Sequence, residues 1–181
     1  MRLILFFFIL LSFQVFAQQK PINKPFHFKK EIKWSPLALT LGAINFQYEN
    51  YYNEEKSINV WAYGLNFVYT GEFIGFGGGI GFRDYFTPEK KNSYYIEPFI
   101  KYQFMVETYT NDNFNSTGLG LVLGRKWVLG KRFTTEAFLG PVYNWGLYKR
   151  GSASTVRYPE WFGPINGMFG RFGLNVGYRF N

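Results

Sequence analysis

Over residues 172–180 the even positions are Phe172, Leu174, Val176, Tyr178 and Phe180. The odd positions from Arg171 to Arg179 are charged, polar or glycine. A repeat of two predicts a strand with one apolar and one polar face. The alternation recurs upstream. A first strand is predicted over 37–48, with Ile44, Phe46 and Tyr48 opposite Asn45, Gln47 and Glu49. A second, over 58–70, groups Trp61, Tyr63, Leu65, Phe67 and Tyr69 on an aromatic face, with Ala62, Gly64 and Asn66 behind it. A third sets Ile74, Phe76, Gly78, Ile80 and Phe82 against Gly75, Gly77, Gly79, Gly81 and Arg83. A fourth, over 94–106, sets Ile96, Ile100, Tyr102, Phe104 and Val106 against Glu97, Lys101 and Gln103. A fifth, over 118–129, opposes Leu119, Leu121, Leu123, Trp127 and Leu129 to Gly120, Gly124 and Lys126, and Arg125 interrupts its apolar face. A sixth, over 132–147, opposes Phe133, Ala137, Leu139, Tyr143 and Trp145 to Thr134, Glu136 and Asn144. Polar or glycine-bearing connections separate these runs.

An apolar, aromatic stripe backed by a polar stripe in strand after strand predicts a transmembrane β-barrel, wetted by lipid outside and by a polar lumen inside. A free edge within a membrane would leave backbone groups unpaired. The seven predicted strands therefore need an eighth. It is expected within 150–160, with the lead-in before Trp34 as the alternative. That choice decides which loops face outward, so loop orientation stays open at this point. Aromatic residues make up 23% of the chain and glycines number 20, which suits aromatic girdles outside and tight packing inside. The glycine row at 75–81 is read as room for large side chains from neighbouring strands. Neither a following helix pattern nor an in-register lysine supports a phosphate loop there.

Residues 1–17 carry Arg2, an apolar run over 3–11, and Val15 and Ala17 at the positions that a signal peptidase reads. The run is too short to span a bilayer as a helix. The expected organisation is a signal peptide at 1–17, a periplasmic lead-in at 18–33 and an outer-membrane barrel at 34–181. The expected fold class is all-β, an antiparallel transmembrane barrel of eight strands exported by the general secretory route to a Gram-negative outer membrane. Without cysteine there is no lipid-modified cysteine, disulfide or thiolate metal site.

The inward positions bring Glu49, Glu97 and Glu136 together with Arg83, Lys101, Lys126, Arg171 and Arg179. In a lumen that side chains just fill, these are expected to form a structural charge network. The alternatives are a narrow channel or small-ligand barrel, and an exported soluble lipocalin-like binder. The single histidine, His27, falls in the lead-in, away from any strand that could hold it against a nucleophile. No catalytic, cofactor or metal site is assigned, and the chain is expected to be non-enzymatic. The net charge of +8, with Lys90-Lys91, Lys131-Arg132 and Lys149-Arg150 at strand ends, suits anionic headgroups. Outer-membrane lipid, lipopolysaccharide and the barrel-insertion machinery, which reads the last strand, are the expected partners. Nucleic acid is not, because the aromatics follow a lipid-face alternation rather than a stacking groove.

The segments Lys33-Trp34-Ser35-Pro36-Leu37 and Ile44-Asn45-Phe46-Gln47-Tyr48-Glu49 resemble the opening strand of small outer-membrane barrels of Bacteroides-type bacteria, a family of unknown function. Arg83-Asp84-Tyr85-Phe86, Trp161-Phe162-Gly163-Pro164 and Gly177-Tyr178-Arg179-Phe180 are similar to its other recurring features. The resemblance implies an eight-stranded barrel behind a signal peptide and adds no activity. Asn181 departs from the pattern, since such barrels end on the aromatic itself.

Overall fold

The computed structural model describes residues 29–40, 42–66, 73–86, 92–108, 112–150, 154–157 and 166–181. The readings on the signal peptide, His27, Phe67, Tyr69 and the 161–164 motif lie outside them. The strands are β1 (Lys30–Trp34), β2 (Ala43–Tyr51), β3 (Lys56–Asn66), β4 (Phe73–Tyr85), β5 (Asn92–Glu107), β6 (Asn113–Leu129), β7 (Phe133–Arg150), β8 (Ser154–Arg157) and β9 (Gly167–Phe180), with one short helix, α1 (Pro36–Thr40). β1 to β6 pair in order, β6 pairs with β7, β7 with β9, and β9 with β1. Every pairing is antiparallel, so the wall is a closed barrel of eight strands.

Register sets the shape of this barrel. Partners followed from Lys33 run through Gln47, Trp61, Gly79, Lys101, Gly118 and Asn144 to Gly167. Lys33 itself pairs with Gly177, so the circuit is displaced by 177 minus 167, a shear of ten residues. That stagger tilts the strands steeply and leaves an interior only side chains fit. Lys30 and Phe180 meet at one end, here called the terminal end. The strand ends Tyr51, Lys56, Tyr85, Asn92, Leu129 and Phe133 lie there, whereas Trp34, Ala43, Asn66, Phe73, Glu107, Asn113, Arg150 and Gly167 lie at the far end.

Three expectations need correction. The eighth wall strand is β1, in the lead-in that was the alternative position, and not a strand within 150–160. β8 pairs only with Leu147–Arg150, beyond the 133–144 span over which β7 meets β9, so it lies outside the barrel circuit. The first predicted strand started too early. At 36–40 the chain makes a helical turn: the Ala38 N–H donates to Ser35 Oγ, Pro36 opens the turn, and Gly42 ends it at a φ of 75°.

The third correction concerns β3. Its outward positions are Ile58, Val60, Ala62 and Gly64; Trp61 is buried and Tyr63 packs against the core. The aromatic face of β3 points inward because β4 makes room for it. A Cβ on Gly77 would strike the Tyr63 ring, and one on Gly79 would strike Trp61 and the Ile100 carbonyl. The glycine row therefore does provide space, and residues read as lipid-facing use it.

Elsewhere the faces fall as the alternation predicts. Ile74, Phe76, Ile80 and Phe82 on β4, Leu119, Leu121 and Leu123 on β6, and Phe172, Leu174 and Tyr178 on β9 are exposed. Opposite them, Arg171, Gly173, Asn175, Gly177 and Arg179 turn into the lumen.

Gly77→Ala should destabilise the barrel by about 1–3 kcal/mol through overpacking against Tyr63. Measured by equilibrium unfolding in urea in a Tyr63→Ala background, the same Gly77→Ala substitution should cost less than half as much. A Gly77→Ala chain as stable as wild type would contradict this packing.

Candidate functional site

The lumen is the candidate site. Near the terminal end it holds Glu31 and Lys33 from β1, Glu49 from β2, Arg83 from β4, Glu97 from β5, Lys126 from β6 and Glu136 from β7. Alternation forces them together, because each lies at an inward position where the wall admits no water-facing alternative.

Lys33 Nζ donates to Glu49 at 2.7 Å and to Glu136 at 3.2 Å. Arg83 donates through Nη1 to Glu49 at 3.0 Å and to Glu136 at 2.7 Å, and through Nε to Glu97. Lys126 Nζ donates to Glu49 at 2.7 Å and to Glu31 at 3.1 Å. Glu49 also accepts from the hydroxyls of Ser57 and Tyr85, so five donors converge on one carboxylate with no exposure. Buried charges are tolerable on these terms, where each has partners and the lone pairs are filled.

Tyrosines close this cluster. Lys126 lies over the rings of Tyr51 and Tyr85 at 5.1 and 5.2 Å, and the Arg83 guanidinium lies 4.3 Å from the centre of the Tyr95 ring. On the far side, Trp61 and Phe99 meet edge to face at 5.6 Å, and the Arg171 guanidinium stacks on them at 3.8 and 4.4 Å. Charged, then aromatic, the lumen is packed through its terminal half.

Seven of the eight residues singled out in the sequence belong to this network: Glu49, Arg83, Glu97, Lys126, Glu136, Arg171 and Arg179. The last two reach it at longer range, Arg171 at 3.7 Å from Glu97 and Arg179 at 3.6 Å from Glu31. Lys101 stands apart, donating to the Gln103 amide oxygen at 3.0 Å, with no carboxylate partner among the described residues. Glu31 and Lys33 were missed, although the alternation Lys30-Glu31-Ile32-Lys33-Trp34 was present as a signal. The chain matches no protein-family description, and no curated protein is significantly similar to it.

Lys33→Met would leave Glu49 and Glu136 short of a counter-charge and should cost about 3–5 kcal/mol. Lys101→Met removes a cation with no acid partner and should change stability by less than about 1 kcal/mol. Urea midpoints of the two variants measured side by side should differ accordingly. Equal losses would mean that the cluster is not the centre of stability.

Proposed function

We propose that the protein is an integral outer-membrane β-barrel with a structural or interaction role and no enzymatic activity. One observation carries the reading: the distribution of polarity is inverted. Charges that a soluble barrel would place in water are buried in the lumen, and the wall outside is apolar around the circuit. Phe76 is 60% exposed, Leu139 70% and Phe172 61%. A wall of this kind is stable when its solvent is hydrocarbon. A soluble lipocalin-like binder would need the reverse arrangement.

Aromatic residues mark both rims. Tyr94, Trp127, Phe133 and Tyr178 lie toward the terminal end, and Phe76, Tyr102, Phe104, Tyr143 and Trp145 toward the far end. Phe133 packs on Tyr178 at 5.4 Å and Tyr143 on Trp145 at 4.9 Å. Such girdles suit two membrane interfaces. Among the described side chains, Lys30, Lys56, Asp84 and Arg125 are the outward charges within strands, and the first three sit at strand ends. Arg125 is held between the rings of Tyr94 and Trp127, at 5.0 and 5.2 Å, which lets its head reach headgroups from an apolar wall.

The two shortest connections, 52–55 and 130–132, lie at the terminal end together with Lys30 and Phe180, which suits a periplasmic placement of that end. The signal peptide, the family resemblance, lipid and lipopolysaccharide contact, and insertion through β9 belong to the same proposal. The packed terminal half argues against a conducting pore and leaves the loops as the contact surface.

Phe76→Lys should impair assembly, since a cation on the lipid face is destabilising, by up to about 2–4 kcal/mol at the midplane and by less toward an interface. In membrane fractions the wild type should migrate faster on gels before boiling than after, and Phe76→Lys should lose that shift. Recovery of the wild type in the aqueous phase of a detergent split, or normal assembly of Phe76→Lys, would overturn the reading.

A further inference from the structure

On the outward wall, Arg125 is a charge set in from the strand ends and left unanswered. Among the described side chains, the other outward charges within strands are Lys30, Lys56 and Asp84, each at a strand end. Lys56 and Asp84 are also register partners of opposite sign. Arg125 lies four residues before Leu129, where β6 ends. Its register partners are Tyr94 on β5 and Ala137 on β7, and neither is charged. Among the described residues no carboxylate forms an ion pair with it.

Two rings hold this charge in place. Arg125 Cζ lies 5.0 Å from the centre of the Tyr94 ring and 5.2 Å from that of Trp127. Nε is buried without a hydrogen-bond partner. The residue as a whole is half-buried, and no described residue accepts from Nη1 or Nη2, so that fork is its open side. Toward the far end, the next outward positions of β6 are Leu123, Leu121 and Leu119, all exposed. The strand thus carries a cation at the terminal rim and a leucine strip running from it across the wall. A guanidinium keeps its charge, and an unmatched charge beside hydrocarbon is costly. A phosphate matches both its sign and its two-pronged geometry.

We propose that Arg125, with Tyr94 and Trp127, binds the phosphate of one membrane phospholipid on the outer face of the barrel, its acyl chains lying along Leu123, Leu121 and Leu119. The site rests on the outer-membrane reading and adds to it a fixed lipid position at the terminal rim.

Native mass spectrometry of the full chain in a neutral maltoside tests it, with phosphatidylethanolamine and diacylglycerol of the same chains as probes. Both are uncharged overall, so general attraction to cations does not separate them. The wild type should retain one phosphatidylethanolamine in preference to diacylglycerol. Arg125→Met should lower that retention by roughly tenfold, as for loss of a charge-assisted hydrogen bond, and Arg125→Lys by less. Arg125→Met should still assemble, with its faster migration before boiling, because it only removes a charge from an apolar wall. Arg132→Met, at the same end, should bind as the wild type does, since Arg132 Nη1 already donates to the Tyr178 hydroxyl at 2.7 Å. Equal retention of the two lipids, unchanged binding in Arg125→Met, an equal loss in Arg132→Met, or displacement of the lipid by equimolar inorganic phosphate would overturn the proposal. A wild type that shows the gel shift but no lipid preference overturns this site and leaves the outer-membrane reading standing.

Discussion

Everything in this barrel depends on where Glu49 and Glu136 find their cations. Lys33, Arg83 and Lys126 come from β1, β4 and β6, and the two acids from β2 and β7. Five of the eight wall strands thus meet in one buried cluster. A slip of one residue in any of them would turn its charge outward and strand its partners without compensation. Replacing such a cluster by apolar side chains can be neutral or favourable for stability. Its value here lies in specifying one register, and with it the shear of ten that determines the width of the interior.

The rest of the packing is arranged around that choice. Large rings from β3, β5 and β7 fill the lumen, and glycines stand beside them at the paired positions of the neighbouring strands: Gly77 takes Tyr63, Gly79 takes Trp61, Gly120 takes Phe99, Gly124 takes Tyr95 and Gly173 takes Phe138. A narrow cylinder cannot hold a large side chain at every inward position. Pairing large with null across the rungs resolves the crowding and leaves the outer face free for apolar residues. The terminal half is consumed by charge and aromatic packing.

Much of this was legible in the chain because alternation is a direct projection of a wall with two unlike faces. The faces of β4, β5, β6, β7 and β9 follow from period two, and the inward charges on β2 and on those strands come with them. Two features were not legible. β1 has only five residues, two of its inward side chains are charged, and it sits in a lysine-rich stretch, so it has little apolar signal of its own. Its strand character comes from partners on both sides, β2 and β9, which are remote in sequence. β3 misled for the opposite reason. Alternation says that two faces differ but not which is inside, and aromatic content suggested lipid. The deciding fact is the register of β3 against the glycines of β4, a tertiary property.

The central claim is that one face of each strand meets hydrocarbon and the other a packed polar interior. Because the chain has no cysteine, single cysteines can be placed along β9 and spin-labelled without background. In lipid vesicles, labels at positions 172, 174 and 176 should collide freely with oxygen and resist a water-soluble relaxation agent. A label at position 175, buried in the lumen, should be shielded from both. Free access of the water-soluble agent to positions 172, 174 and 176 would contradict the account.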